Sequence, residues 1–211
     1  MMLAGMVKRA FDVAVAALGL LLAAPLMASI TLAIKCDTPG PVLFRQERVG
    51  RGGRIFRIHK FRTMVVDAAA RGPALTVGGD TRITRVGQFL RRSKLDELPQ
   101  LFDVLTGEMS LVGPRPELPQ YVALYPAALR AKVLALRPGI TDPVSLAFAD
   151  ESALLARAAD PEREYIEVIL PRKLSAAADY AEHATLVTDL KVIARTLRML
   201  LRRTVERSPS A

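Results

Sequence analysis

At 211 residues, the chain has room for one domain plus an appendage, and its single cysteine, Cys36, excludes an intramolecular disulfide framework and suits a reducing, cytosol-facing location. The net charge of +9 suits an anionic membrane, a phosphorylated substrate or nucleic acid. The absence of tryptophan and an aromatic content of 5% leave little for stacking on single strands, so no nucleic-acid partner is expected.

Residues 13–34, VAVAALGLLLAAPLMASITLAI, form an uncharged run. As a straight helix it would reach roughly 33 Å, the thickness of a bilayer core. Pro25 lies near its middle, where a missing N–H kinks or breaks a helix. Both flanks are basic, with Lys8 and Arg9 before and Lys35, Arg45, Arg48, Arg51 and Arg54 after, a bias that keeps both ends on the cytoplasmic side. A helix that enters, bends at Pro25 and returns satisfies these features, with Ser29 and Thr31 available to the freed backbone groups. A kinked single span remains the alternative. Membrane attachment holds either way.

Asp37-Thr38-Pro39-Gly40-Pro41 reads as a turn. Residues 42–47 and 54–59 then read as two short strands, with Gly50-Arg51-Gly52-Gly53 between them as a hairpin signal. His59, Lys60 and Arg62 cluster as the second strand ends, either as a binding surface or as a solvated edge near lipid headgroups. Residues 67–75 suggest a weak helix. Arg82, Arg85, Arg91 and Arg92 punctuate Ile83, Val86, Phe89 and Leu90 at the spacing of an amphipathic helix. Leu98, Leu101, Phe102 and Leu105 continue as a second helix that stops at Gly107. Pro99 is tolerated in a first helical turn, which places Asp96 at or near the N-cap and Glu97 just inside.

Residues 121–135, 149–159 and 162–170 are further helix predictions. The last segment, 176–203, carries Val187, Leu190, Ile193, Leu197 and Leu200 on one side and Lys191, Arg195, Arg198, Arg202 and Arg203 around it. That pattern suits a membrane-surface helix and equally one packed on the core.

Asp96 and Glu97 carry the chemistry. Acids at a helix start are often no more than a cap that complements the dipole. Here Arg91, Arg92 and Lys94 stand beside them and are expected to keep both ionised. An ionised aspartate can attack phosphorus, and a second carboxylate can hold Mg²⁺ beside substrate phosphates. Gly113-Pro114-Arg115-Pro116 adds a proline-stiffened arginine suited to phosphate oxygens, or merely a rigid turn. No P-loop or dinucleotide fingerprint is present, and the two histidines, His59 and His183, lack a metal-ligand pattern.

The chain resembles the bacterial sugar transferases, the monotopic polyprenyl-phosphate phosphoglycosyltransferases, and in particular their minimal single-domain members. The resemblance rests on Lys8-Arg9-Ala10-Phe11-Asp12 before the apolar run, Gly40-Pro41-Val42-Leu43-Phe44-Arg45-Gln46-Glu47-Arg48-Val49-Gly50 and Lys60-Phe61-Arg62-Thr63-Met64. Leu95-Asp96-Glu97-Leu98-Pro99-Gln100-Leu101, Met109-Ser110-Leu111-Val112-Gly113-Pro114-Arg115-Pro116 and Arg137-Pro138-Gly139-Ile140-Thr141 complete it. It implies transfer of a sugar-1-phosphate from a UDP-sugar to a polyprenyl phosphate such as undecaprenyl phosphate, with release of UMP, early in a glycoconjugate pathway. The implied route is a covalent phosphosugar on Asp96, with Mg²⁺ held by Glu97 and phosphate contacts from Arg91, Arg115, Lys60 and Arg62. It also implies the cytoplasmic face of the bacterial inner membrane, favours the re-entrant form of the apolar helix, and leaves a homodimer open. Two departures stand out. Ala24-Pro25 replaces the Ser-Pro of many members, and residues 142–148 replace a glycine-led segment that bears on the donor sugar.

The expected fold is α+β, mostly α: a re-entrant membrane helix over residues 1–35, a catalytic domain over 36–205 with a small β-hairpin and amphipathic helices, and a disordered tail over 206–211. The competing function is a membrane-anchored basic scaffold that binds anionic lipid or nucleic acid.

Overall fold

The computed structural model describes residues 2–73, 75–143 and 151–205. The expected tail, residues 144–148 of the divergent segment and the first two residues of the helix expected over 149–159 lie outside them. The described chain is α+β and mostly helical.

The first element, α1 (Met2–Asp37), is apolar on all sides, yet only one stripe of it meets the rest of the protein. Asp12, Ala16, Ile30 and Ile34 are buried, with Gly19 and Met27 half-buried between them. These positions recur every three or four residues, one face of a helix. Near its start, the Arg9 guanidinium donates to the carbonyls of Val104 and Leu105 at 2.7 and 3.0 Å. A methyl group on Gly19 would lie 3.2 Å from the Leu101 side chain. Toward its end, Ile30 and Ile34 pack with Phe61 and Leu90, and with Leu95 and Leu98 on either side of the acidic pair. Each such buried isoleucine contributes about 1.5–3 kcal/mol. The opposite face is bare, with Leu21 72% and Leu22 70% exposed. The helix is long and apolar enough to cross a membrane.

Pro25 does not end the helix. Pro25 is exposed and inside an unbroken α1. The Ser29 hydroxyl donates to the Pro25 carbonyl at 3.0 Å, a bond back along the chain rather than to the Leu21 carbonyl that the proline deprives of a donor.

β1 (Leu43–Val49) and β2 (Ile55–Phe61) form the antiparallel hairpin, with Arg45 opposite His59 and Phe44 opposite Lys60. Next come α2 (Arg85–Ser93) and α3 (Gln100–Thr106). A second, parallel pair joins β3 (Ser110–Val112) to β4 (Gly139–Thr141). Between these strands, α4 (Pro119–Val122) and α5 (Ala127–Leu134) divide the single helix expected over 121–135, because Pro126 lacks the N–H to continue one and instead opens the next. After α6 (Glu151–Leu155) and α7 (Pro161–Glu164), a wide helical turn over Tyr165–Ile169 leads into α8 (Leu170–His183). The last helix, α9 (Leu186–Val205), begins later than expected, because Thr185 and Thr188 cap its start reciprocally: each main-chain N–H donates to the other's hydroxyl, at 2.8 and 3.2 Å. Its Val192 is buried against the core while Val187, Leu190 and Leu197 are exposed, so it has both a packed face and a bare apolar one.

Among the described residues of 67–75 no helix forms. Turns take its place, since Gly72-Pro73 disfavours helical backbone and leaves too few residues to nucleate one. The main core gathers Ala16, Phe56, Ile58, Val104, Met109 and Val112 with Tyr180 and Val192.

Candidate active site

The acidic pair occupies a turn of its own. α2 is capped by Thr84, whose hydroxyl accepts from Gly87 N–H at 3.0 Å. It ends at Lys94, whose φ of 59° is the only positive value at a non-glycine residue among the described residues. Left-handed backbone costs an L-residue roughly 1–2 kcal/mol. It swings the chain into a 3-10 turn, Leu95–Glu97, that carries both acids. Pro99 then caps α3. The pair therefore lies a full turn ahead of the helix it was expected to cap, and Asp96 points inward.

Three elements bring partners to it. From β2, the Lys60 ammonium donates to Glu97 Oε1 at 2.7 Å. From the loop after β3, the Arg115 guanidinium donates to the same oxygen at 3.1 Å. Both bonds use Oε1, which leaves Oε2 to another partner. From α2, Arg91 is half-buried and donates to the Thr63 hydroxyl at 2.8 Å, with Asp96 in its field.

Arg115 is placed by a tight strand crossing. A methyl group on Gly139 would sit 2.1 Å from the Gly113 nitrogen, and one on Gly113 2.3 Å from the Arg137 carbonyl oxygen. Only glycine permits that approach. The loop is also tied to the hairpin, through Arg48 donating to the Pro116 carbonyl at 3.1 Å and Val49 N–H to the Glu117 carbonyl at 3.0 Å. Asp142, buried at the end of β4, adds a second negative charge near Arg115 and helps raise its pKa after Glu97, the main cause.

The two carboxyls part company electrostatically. Burial alone would raise Glu97, but Lys60, Arg115 and Lys94 together hold it well below the usual carboxylate range. Asp96 goes the other way. Burial and then the Glu97 charge push it up, against Lys60, Lys94 and Arg91. The expectation that neighbouring cations hold both acids ionised took no account of burial, which works against those cations at Asp96.

Arg62 is not brought to the pair. β2 ends at Phe61, and beyond it the Arg62 guanidinium turns back to donate to the carbonyls of Thr38, at 2.7 Å, and Pro39. It clamps the turn after α1. Arg91, Lys60 and Arg115 do converge with Asp96 and Glu97. His59, unassigned by sequence, forms a buried pair in which Asp103 Oδ1 and Oδ2 meet its ring Nδ1 at 2.6 Å and its main-chain N–H at 2.9 Å. Thr63, Asp142 and Asp103 were not singled out as site residues. Asp103 had a signal, lying seven residues after Asp96 on one helical face.

Among the described residues no group of three or more acidic, histidine or cysteine side chains could hold a metal. Mg²⁺ needs fewer, since substrate phosphates and water complete its shell. Asp96 Oδ1 is buried without a hydrogen-bond partner, a hard oxygen beside Glu97, and this donor type fits that ion.

The model of the bacterial sugar transferase family matches residues 3–203. The chain belongs to that family. Among curated relatives of this sugar transferase, it is 40% identical over 205 residues to the UDP-glucose:undecaprenyl-phosphate glucose-1-phosphate transferase of Caulobacter vibrioides, covering 92% of this chain and 69% of the relative. It is 44% identical over 138 residues to the Escherichia coli protein of the same name, covering 64% of this chain and 30% of that one. To the UDP-N-acetylgalactosamine-undecaprenyl-phosphate N-acetylgalactosaminephosphotransferase of Aeromonas hydrophila it is 43% identical over 137 residues, covering 64% and 32%. The chain spans about a third of the length of the latter two relatives.

Proposed function

We propose that this sugar transferase moves a sugar-1-phosphate from a UDP-sugar to undecaprenyl phosphate and releases UMP, with Asp96 as nucleophile and Glu97 beside it. The observation that carries the reading is the buried Asp96–Glu97 pair with Lys60, Arg91 and Arg115 around it, on a turn whose flanking leucines pack on the long apolar helix. The relatives' names supply the substrates, and the sugars they name differ, glucose in one group and N-acetylgalactosamine in another.

In the first step an Asp96 carboxylate oxygen attacks the phosphorus that bears the sugar. A bond forms between that oxygen and phosphorus, and the bond to the bridging oxygen breaks with its electron pair leaving on UMP. In the second step a phosphate oxygen of the lipid attacks the same phosphorus, and Asp96 leaves as the carboxylate. Arg91 offsets charge on the Asp96 side, and Arg115 and Lys60 fix Glu97 in its ionised form. Glu97, with Asp96 Oδ1 alongside, would hold Mg²⁺, which when bound offsets charge on the phosphoryl oxygens.

The protein works at the cytoplasmic face of the inner membrane, with α1 entering, bending at Pro25 without losing its helical run, and leaving by the same side. Contacts of α1 with the domain at Arg9, Gly19, Ile30 and Ile34 support this, since a helix that crossed the bilayer could not touch one domain along its whole length.

Incubation with a panel of UDP-sugars and no lipid tests the chemistry. One donor is expected to release UMP and to leave a phosphosugar mass on the peptide holding Asp96. UMP that appears only after lipid is added overturns the two-step route. For topology, the natural Cys36, which is exposed, and a cysteine placed by Ala10→Cys should be labelled from the same side of sealed vesicles, whereas labelling from opposite sides restores a span.

A further inference from the structure

Gln100 stands four residues beyond Asp96 and is only 2% exposed, yet its amide nitrogen Nε2 has no hydrogen-bond partner among the described residues. Buried amides nearly always have one. Asp96 Oδ1 is the other unpartnered buried atom of this segment. The two share a face: Asp96, Pro99, Gln100, Asp103 and Val104 are all buried, at three- and four-residue steps. The backbone between them stays right-handed, with Leu98 at φ −53°, ψ −39° and Pro99 at φ −62°, ψ −17°.

β2 meets this segment on either side of Gln100. Lys60 reaches back to Glu97, and His59 saturates both oxygens of Asp103. The other buried orphans, Arg48 Nε and Arg62 Nε, belong to guanidinium groups whose remaining nitrogens are bonded. Gln100 has no such bond. A donor shut away from water, held on the buried face of Asp96 and left without a partner, is suited to an acceptor that arrives with substrate.

We propose that Gln100 is a catalytic residue, donating from Nε2 to an oxygen of the phosphoryl group bound at Asp96. The inference rests on the phosphosugar-transfer reading. No bond to Gln100 is made or broken, and no proton leaves it. Its hydrogen bond strengthens as charge gathers on the phosphoryl oxygens in each half-reaction, and being fixed beforehand it costs no reorganisation.

The test uses the full chain in lipid nanodiscs, with the UDP-sugar that gives the fastest UMP release and undecaprenyl phosphate as acceptor. Gln100→Met keeps the length of the side chain and removes the donor. Its kcat is expected to fall roughly 10²-fold, the scale for one preorganised donor, with little change in KM for the UDP-sugar. Its Tm is expected to hold or rise, because an unpaired polar group has given way to an apolar one. Gln100→Glu has the same shape without the donor and is expected to lose as much turnover. Parent-like kcat in either variant, or a fall that only follows a lowered Tm, overturns the proposal while leaving the transfer reading intact. Failure of the parent protein to release UMP from any UDP-sugar overturns both.

Discussion

Two buried polar clusters lie on or beside α1, and they are finished to different degrees. Where the start of α1 meets β3, α8 and α9, each carboxylate oxygen has a donor. Asp12 accepts from the Ser110 hydroxyl at 2.7 Å and from Leu111 N–H at 3.3 Å, while Asp189 accepts from Lys8 and from the Tyr180 hydroxyl, both at 2.5 Å. At the turn between α2 and α3, Asp96 Oδ1 and Gln100 Nε2 have none. A saturated buried network rigidifies and fixes one arrangement, whereas unmet capacity in a buried site is costly to the fold and has to be repaid by what binds there. The first cluster staples the membrane helix to the domain. The second, on the proposed function, is left open for chemistry.

That contrast can be broken by four measurements. The largest effect is expected at Asp96: Asp96→Asn should lower UMP release by roughly 10³-fold or more, as for loss of a nucleophile, with Tm unchanged or higher because a buried charge beside Glu97 is gone. Near-parent turnover would end the nucleophile assignment. In the closed cluster the effect should fall on stability. Asp189→Ala leaves the buried Tyr180 hydroxyl without its acceptor and the partly exposed Lys8 ammonium with only the Val112 carbonyl at 3.2 Å, and should cost about 1–3 kcal/mol; unchanged denaturation would show that the network holds nothing. Gly139→Ala should cost about 1–3 kcal/mol by overpacking against Gly113, and it should lower turnover through displaced Arg115, read as kcat at a temperature where the variant is folded. The smallest effect belongs to the exposed Lys132–Glu182 pair, where Glu182→Gln should leave both turnover and melting within error.

Much of the open cluster was legible in sequence, because Asp96, Glu97, Arg91 and Arg115 sit in short motifs whose residue types suit phosphate. What escaped was direction. Lys60 and Arg62 have the same parity along a strand, and alternation would put them on one face, but β2 stops at Phe61 and the alternation stops with it. The left-handed Lys94 could not be foreseen either, since its backbone is imposed by the packing of two short helices rather than by any preference of lysine. The closed cluster was invisible for another reason. Asp12 and Asp189 are separated by most of the chain, and Asp12 stands out only as the end of the Lys8–Asp12 motif while Asp189 carries no signal at all; only the packing of α1 against α9 and β3 makes them a pair of sockets. The helix boundaries at Pro126 and Thr185 did have local signals, a proline and a Thr-x-x-Thr cap, which the apolar periodicity overrode.

The buried stripe of α1 also determines what can be taken from this protein. Ile30 and Ile34 form one wall of the pocket of side chains behind Leu95 and Leu98, and Asp12 supplies acceptors that β3 uses. A fragment beginning after residue 37 would therefore not be a soluble catalytic half released from its tether. It would expose the back of its own active turn. Anchor and enzyme are a single folding unit here, and lipid contacts on the bare side of α1 bear on the geometry at Asp96 through one layer of leucine and isoleucine.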